Sequence, residues 1–299
     1  RVFPFEREAS MRLRSFWFPG LFLLLITLGF FWVVGPELDF LSSPNQIAVV
    51  EVRGLIDNSQ ETVKALRKYC RDDHVKAVLV RIESPGGGIG PSQEIAREVA
   101  RTLKEKPVVA SLGGIAASGG YYIASAASHI VANPGTITGS IGVIISFPNL
   151  KELFDKVGYF TNVIKSGPFK DMGNPGREMT PEERALLQKT IDEAYGQFVR
   201  DVARGRHLPE EKVRQIADGR LIMGETAKEL GLVDALGNFQ DAVDAATALA
   251  KIEGEPELVY HRKQKRTLLD YILGSEATDG LSNFLNGSAS FLRYQMSFP

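Results

Sequence analysis

The chain has one cysteine, Cys70, two tryptophans and four histidines in 299 residues, and its 35 Lys and Arg against 36 Asp and Glu leave a net charge of −1. A lone cysteine excludes an intramolecular disulfide, so an oxidising compartment is permitted but not required. Charge balance removes the basic excess that a nucleic-acid surface needs, and no nucleic-acid partner is expected. Nor is there an internal repeat, and about 260 residues outside the apolar N-terminal run suit one large α/β domain. Apolar residues make up 44% and charged residues 24%, a composition that can fill a core. Cys70 shares a helical apolar face with Val63 and Leu66, which assigns it to packing.

Histidine is scarce where a hydrolytic base would need it. His74, His129, His207 and His261 lie in a polar stretch, at the start of a short strand, in a basic turn and beside a basic run, none with an acidic or glycine-rich setting that suggests a triad.

What is present is glycine around serine. Gly113-Gly114-Ile115-Ala116-Ala117-Ser118-Gly119-Gly120-Tyr121-Tyr122 follows the apolar run Pro107 to Leu112, a buried strand, and leads into an Ala-rich helix expected over 121–128. Ser118 thus sits near a helix N-terminus, where free amides and the dipole favour the charge that develops on an alkoxide or a tetrahedral oxyanion. A second turn, Ser84-Pro85-Gly86-Gly87-Gly88, follows the strand expected over 77–82 and offers further bare backbone. With no histidine to serve, the base falls to lysine. Lys165 and Lys170 both lie in a Gly/Pro loop after a strand-like run over 159–164. A lysine serves only where burial or positive neighbours bring its pKa down from about 10.4.

Strands and helices alternate through the first half. A strand over 47–53, a helix capped by Asn58 with Glu61 three residues on, the 77–82 strand, a helix over 92–104 and the 107–112 strand together predict an α/β fold with a parallel sheet. The second half is helical. Thr180-Pro181-Glu182-Glu183 is a capping box, Leu187, Ile191, Ala194, Phe198 and Val202 form a packing stripe, and helices are expected over 210–217, 224–230 and 239–252, one ended by Gly231. Residues 262–266 form a basic run, read as a solvated face, and a Ser/Gly/Asn-rich tail follows around 274–290.

At the other end, no residue between Ser15 and Pro36 is charged. About 20 residues at 1.5 Å each match a bilayer core of about 30 Å, and Trp17 and Trp32 suit its two interfaces. Arg12 and Arg14 precede the span while Glu37 and Asp39 follow it, which predicts a cytoplasmic N-terminus and an extracytoplasmic body. No Ala-x-Ala-like cleavage site follows, so the span reads as an uncleaved anchor.

Five motifs in order, Ser-Pro-Gly-Gly at 84–87, the Ser118 run, Thr138-Gly139-Ser140-Ile141-Gly142-Val143, Lys165-Ser166-Gly167 with Lys170-Asp171, and Gly231-Leu232-Val233-Asp234, resemble the signal peptide peptidase A family. The resemblance covers residues 47 to 262. It implies stacked ββα units of the Clp protease and crotonase type, with Ser118 as nucleophile, Lys170 as general base, Ser140 orienting the lysine amine, and the Gly87 and Gly119 amides as the oxyanion hole. It implies no metal and no cofactor. The substrates would be peptides, specifically remnant signal peptides, and the enzyme a serine endopeptidase in a bacterial inner membrane. Because the family builds each site from neighbouring domains and this chain has one, a homo-oligomer with Ser118 and Lys170 on adjacent protomers is implied. The resulting division is a cytoplasmic segment 1–14, an anchor 15–36, a linker 37–46, a peptidase domain 47–262 and a tail 263–299. Two other readings use parts of the same pattern: a crotonase-like acyl-CoA enzyme, which shares the oxyanion hole but has no need of a Ser/Lys pair, and a non-catalytic membrane scaffold.

Overall fold

The computed structural model describes residues 45–261 and 293–295. The anchor expected at 15–36, the basic run from 262 and the tail around 274–290 lie outside them. Among the described residues no helix is long and apolar enough to cross a membrane.

β1 (Gln46–Arg53), β2 (Val75–Ser84) and β4 (Val108–Ala116) are the central strands of a mostly parallel sheet, flanked by β9 (Glu257–Tyr260) on one side and by β5 (His129–Ala132) and β8 (Ala235–Leu236) on the other. Their runs of Val, Ile, Leu and Ala reflect burial on both faces. Ala48, Val50, Val78, Val80 and Ala110 point into one cluster with most of the helices. Ile47, Val49, Ala77, Leu79 and Val109 point into the other, covered by α8 (Phe239–Leu249) through Ala242, Val243 and Ala246. Sequence and structure agree on β1, β2 and β4, which run one to four residues longer than the strands expected at 47–53, 77–82 and 107–112.

β1 and β2 are each followed by a short return and a helix. β1 leads to Ile56, bridged to Gly87, and then to α1 (Gln60–Arg71); β2 leads to β3 (Gly86–Gly88) and α2 (Ile89–Thr102). β4 runs into α3 (Gly119–Ala124), and β5 is followed by β6 (Ile137–Gly139) and α4 (Lys151–Val157). Strand, return and helix recur as the stacked ββα pattern requires. β6 pairs with the end of β4 at Ile115 and antiparallel with β7 (Leu221–Met223), so a second small sheet gathers at the C-terminal ends of the long strands.

The helical half centres on α5 (Pro181–Arg206). Thr180 and Glu183 form the expected capping box, and 26 residues at 1.5 Å each make a rod of about 39 Å. Its C-terminal part is buried through Phe198, Val199, Val202 and Ala203, while its N-terminal turns are exposed except at Glu183. Gly205 lets the last turn lie on α3's exit, since a Cβ there would fall 1.9 Å from the Ser125 carbonyl oxygen. α6 (Glu210–Arg214) and α7 (Gly224–Glu229) are shorter than expected, and Gly231 at φ +79° turns the chain after α7. Asn58 does cap the start of α1, accepting from the Gln60 amide at 2.7 Å, though the N-cap position is Ser59.

Candidate active site

Ser118 stands where β4 hands over to α3, which begins at Gly119 and ends at Ala124, four residues short of the expected 128. The reversal puts Ser118 at φ 52°, ψ −116°, a conformation that costs a non-glycine residue about 1–3 kcal/mol and persists only where its surroundings fix it. They do so on every side. The Ser118 amide donates to the Gly139 carbonyl at 2.8 Å, its carbonyl accepts from the Tyr122 amide at 2.8 Å, and the neighbouring Ala117 amide donates to the Ser84 carbonyl at 3.0 Å. Tyr121 is fully buried and donates to the Leu232 carbonyl at 2.8 Å, and Tyr122 donates to Asp201. Held this way, the Ser118 side chain is 0% exposed, and its Oγ has no hydrogen-bond partner among the described residues.

The second glycine turn packs beside the first. Ser84 ties it down, its hydroxyl donating to the Gly54 carbonyl at 2.6 Å and accepting from the Gly86 amide at 3.1 Å. Gly87 lies against Ile56 so closely that a Cβ would fall 2.2 Å from the Ile56 carbonyl oxygen. Gly120 presses onto β2, where a Cβ would stand 3.0 Å from the Ser84 oxygen. The Gly119 amide has no backbone acceptor among the described residues, as befits the first turn of a helix. Along β3 runs β10 (Arg293–Gln295), antiparallel, with Tyr294 opposite Gly87.

Ser140 joins the serine through the backbone, because the residue before it supplies the carbonyl that holds the Ser118 amide. It too has a positive φ, 51°, with its amide donating to the Arg220 carbonyl at 2.8 Å. A cleft of about 400 Å³ opens next to it, lined by Ile144, Ile191, Tyr195, Asp218 and Leu221 among others. Thr138 anchors the approach by donating to the Ala116 carbonyl at 2.7 Å.

Lys170 is not brought to Ser118 within one chain. It lies exposed on an arm between β6 and α5, and its Nζ makes no hydrogen bond or ion pair among the described residues. Lys165, the other candidate, is engaged: its Nζ donates to Asp171 at 2.5 Å and to the Pro168 carbonyl at 3.1 Å. The strand expected at 159–164 does not form. Its residues are irregular and exposed, Phe160 to 77% and Ile164 completely, and among the described residues no strand lies beside them to pair with.

No histidine competes. His129 pairs with Val109 at the far end of β4, roughly 23 Å at 3.3 Å per residue from Ala116, where the strand ends short of Ser118. His74 sits 3.3 Å from Asp72, His207 ends α5, and the His261 ring packs edge-on to Tyr69.

Two features gave no sign in the sequence. Glu83 aims its carboxylate at the Gly114 and Ile115 amides, at 3.1 and 3.2 Å, bracing the strand that leads to Ser118. Arg177 grips Asp171 beside Lys170, holding that carboxyl, with help from Lys165, far below the usual carboxylate range. The only hint for Glu83 was a charge at the end of an apolar run.

The chain matches Peptidase family S49 over residues 100–253. "Putative protease slr0021" of Synechocystis sp. is 49% identical over 213 residues, which cover 71% of this chain and 77% of that one. The chain belongs to peptidase family S49. As an S49 member it is a serine peptidase, and the matched region contains Ser118, Ser140 and Lys170 while Gly87 lies before it. "Putative signal peptide peptidase SppA" of Enterococcus faecium is 41% identical over 204 residues, 68% of the S49 chain described here and 59% of its own length. Among solved structures, ClpP1 of Listeria monocytogenes aligns over 65% of this chain and 93% of its own with a TM-score of 0.45 and 17% identity, a distance at which residue roles do not transfer.

Proposed function

We propose that this S49 serine peptidase is a membrane-anchored endopeptidase that degrades remnant signal peptides, with Ser118 as nucleophile and Lys170 of an adjacent protomer as general base. The observation that carries this reading is a pair of groups unmet among the described residues: a fully buried Ser118 hydroxyl with no partner, and a Lys170 amine on an exposed arm, also with none. A buried hydroxyl left unsatisfied costs about 1–3 kcal/mol, and a second copy supplying the amine would remove that cost. The arm supports it too, since Leu153, Val157, Tyr159, Phe160, Val163, Ile164 and Phe169 are all exposed. Apolar surface of this extent is ordinarily covered by another molecule.

In the reaction, Lys170 Nζ takes the Ser118 hydroxyl proton as the oxygen bonds to the scissile carbonyl carbon. The oxyanion is held by the Gly87 and Gly119 amides. The carbon–nitrogen bond then breaks, the Lys170 ammonium gives its proton to the leaving amine, and water releases the acyl group by the same route. Ser140, backbone-linked to the nucleophile's turn, accepts from or donates to the incoming amine and orients it. The edge of β3 supplies the peptide's other contact. β10 already lies along that edge antiparallel, which is how an extended substrate would add itself by main-chain hydrogen bonds. The uncharged 15–36 span would hold this extracytoplasmic domain, 47–262, at the inner membrane where signal peptides remain, with the linker 37–46 and tail 263–299 on either side.

The test is hydrolysis of a fluorogenic apolar signal-peptide-like substrate by detergent-solubilised full chain. Ser118→Ala and Lys170→Ala should each lose at least about 10³-fold while remaining assembled, and mixing the two should restore activity through the one composite site that is intact. Full activity of Lys170→Ala would remove the base assignment, and inactive wild type over many peptides would favour a non-catalytic scaffold. Failure of the mixture to recover would place both groups in one protomer.

A further inference from the structure

Lys170 is followed directly by a carboxylate, an unfavourable neighbour for a base, because negative charge stabilises the ammonium form. The structure answers that charge with a cluster. Asp171 Oδ1 accepts from Lys165 Nζ at 2.5 Å and from Arg177 Nη2 at 2.9 Å, Oδ2 accepts from Arg177 Nε at 3.0 Å, and the Asp171 carbonyl accepts from Arg177 Nη2 at 3.2 Å. The other side of the same guanidinium reaches Glu183, with Nη1 to Oε2 at 2.9 Å and Nη2 to Oε1. Glu183 in turn is only 2% exposed and closes the capping box by accepting from the Thr180 amide at 3.0 Å. Two cations and two carboxylates therefore sum to zero, and a continuous chain of contacts leads from the buried Glu183 in the first turn of α5 to the residue beside Lys170.

We infer that Lys165, Asp171, Arg177 and Glu183 are positioning residues for Lys170, a charge-balanced clamp that ties the arm carrying the amine to the start of α5 and sets the pH range in which the dyad works. The inference rests on Lys170 being the base. The clamp holds Asp171 in the bidentate fork of Arg177, with Lys165 on the same oxygen, so the catalytic lysine faces a neutral group instead of a bare carboxylate. Lys165 then has a defined job other than catalysis, compensation of charge. The other charges around the arm are Lys151, Glu152, Asp155 and Lys156 on α4, of which Lys151 pairs with Asp155 at 2.7 Å, and Glu178, Glu182 and Arg184 near the start of α5. α4's flank packs on the loop through Phe147 and Phe154, against Gly173 and Gly176. All of these stay unchanged when single members of the clamp are replaced.

The experiment is the pH dependence of kcat/KM for the full, assembled chain. Lys165→Met leaves the cluster one negative charge in excess and should move the acid limb to higher pH; Asp171→Asn leaves one positive charge in excess and should move it to lower pH. Each displacement is expected to be on the order of half a pH unit or more at low salt and to shrink at 1 M salt. Lys165→Arg keeps the charge and should restore the wild-type limb. A purely structural clamp would lower kcat in both variants without moving the limb in opposite directions, and that result, or two shifts of the same sign, overturns the inference. If either variant fails to assemble, Glu183→Gln supplies the excess positive charge and Arg177→Met the excess negative one, with the same opposite displacements required. Loss of the base assignment itself is read separately, from Lys170→Ala.

Discussion

Ser118→Ala should make the unassembled chain more stable while it abolishes catalysis. The substitution keeps the Cβ and the strained backbone and deletes one oxygen, which is fully buried and has no hydrogen-bond partner among the described residues. Leaving that hydroxyl unsatisfied costs about 1–3 kcal/mol. Against the gain stands the void left by one atom, roughly 15 Å³, which at 24 cal/mol per Å³ amounts to about 0.4 kcal/mol. The net is about 0.6–2.6 kcal/mol, or roughly 1–10 °C in Tm for a domain of this size. Assembly should reverse the balance. When a neighbouring Lys170 amine occupies the hydroxyl, Ser118→Ala deletes a hydrogen bond and the gain disappears.

The assay is denaturation of wild type, Ser118→Ala, Lys170→Ala and the double variant, each at concentrations where the chain is dissociated and where it is assembled. The double-mutant cycle should show coupling between the two residues only in the assembled state. In the Lys170→Ala background, Ser118→Ala should stabilise under both conditions. Ser118→Ala destabilising the dissociated chain would refute the reading of an unmet hydroxyl, and identical effects at both concentrations would refute its satisfaction by a second copy.

Gly87→Ala places a Cβ 2.2 Å from the Ile56 carbonyl oxygen, a backbone atom that cannot swing aside. β3 must shift, and peptide hydrolysis should fall about 10²-fold or more with an unfolding cost of about 1–3 kcal/mol; near-normal turnover would exclude a role for this turn in the oxyanion site. Removing residues 293–299 exposes the edge of β3, so KM for a peptide substrate should fall with kcat unchanged, and an unaltered KM would separate that edge from substrate binding. Acid should weaken the arm selectively. Arg177 first, then the Thr180 amide, hold Glu183 down at about 2. Because the folded value is below the unfolded one, this stabilisation is complete above the ordinary carboxylate range near 4 and is lost as pH falls toward 2. Thermal denaturation from pH 5 to 2 should therefore show a smaller loss in Glu183→Gln than in wild type, and equal losses would refute the coupling.

The sheet and both glycine turns could be read from the chain because their determinants are local. Strands buried on both faces announce themselves as unbroken apolar runs, as β1, β2 and β4 do, and a box such as Thr180 to Glu183 needs only four residues to define a helix start. Strand ends were read short because Glu83 and Ser84 are polar, yet they pair and brace the turns at Gly114 and Gly86. The clamp could not be read at all. Lys165, Asp171, Arg177 and Glu183 fit neither the helical nor the strand period, and only the folded loop makes them neighbours.

The misreading at 159–164 is the most informative of these. Tyr159-Phe160-Thr161-Asn162-Val163-Ile164 has the residue types of a strand, and residue types of that kind signal a pleated, half-buried surface instead of an intrinsic backbone state. Among the described residues no strand pairs with them, and the segment is irregular with Phe160 and Ile164 facing outward. Among the described residues, the Lys170 amine on the same arm and the buried Ser118 hydroxyl in the core each have no partner. Docking a second copy over the arm would cover the apolar side chains and pair the two polar groups in one step. If so, a charge placed on the arm's apolar face, for instance Phe160→Asp, should abolish assembly and hydrolysis together while leaving the stability of the dissociated chain within about 0.5 kcal/mol of wild type; hydrolysis that survives in dissociated Phe160→Asp would show that one protomer suffices.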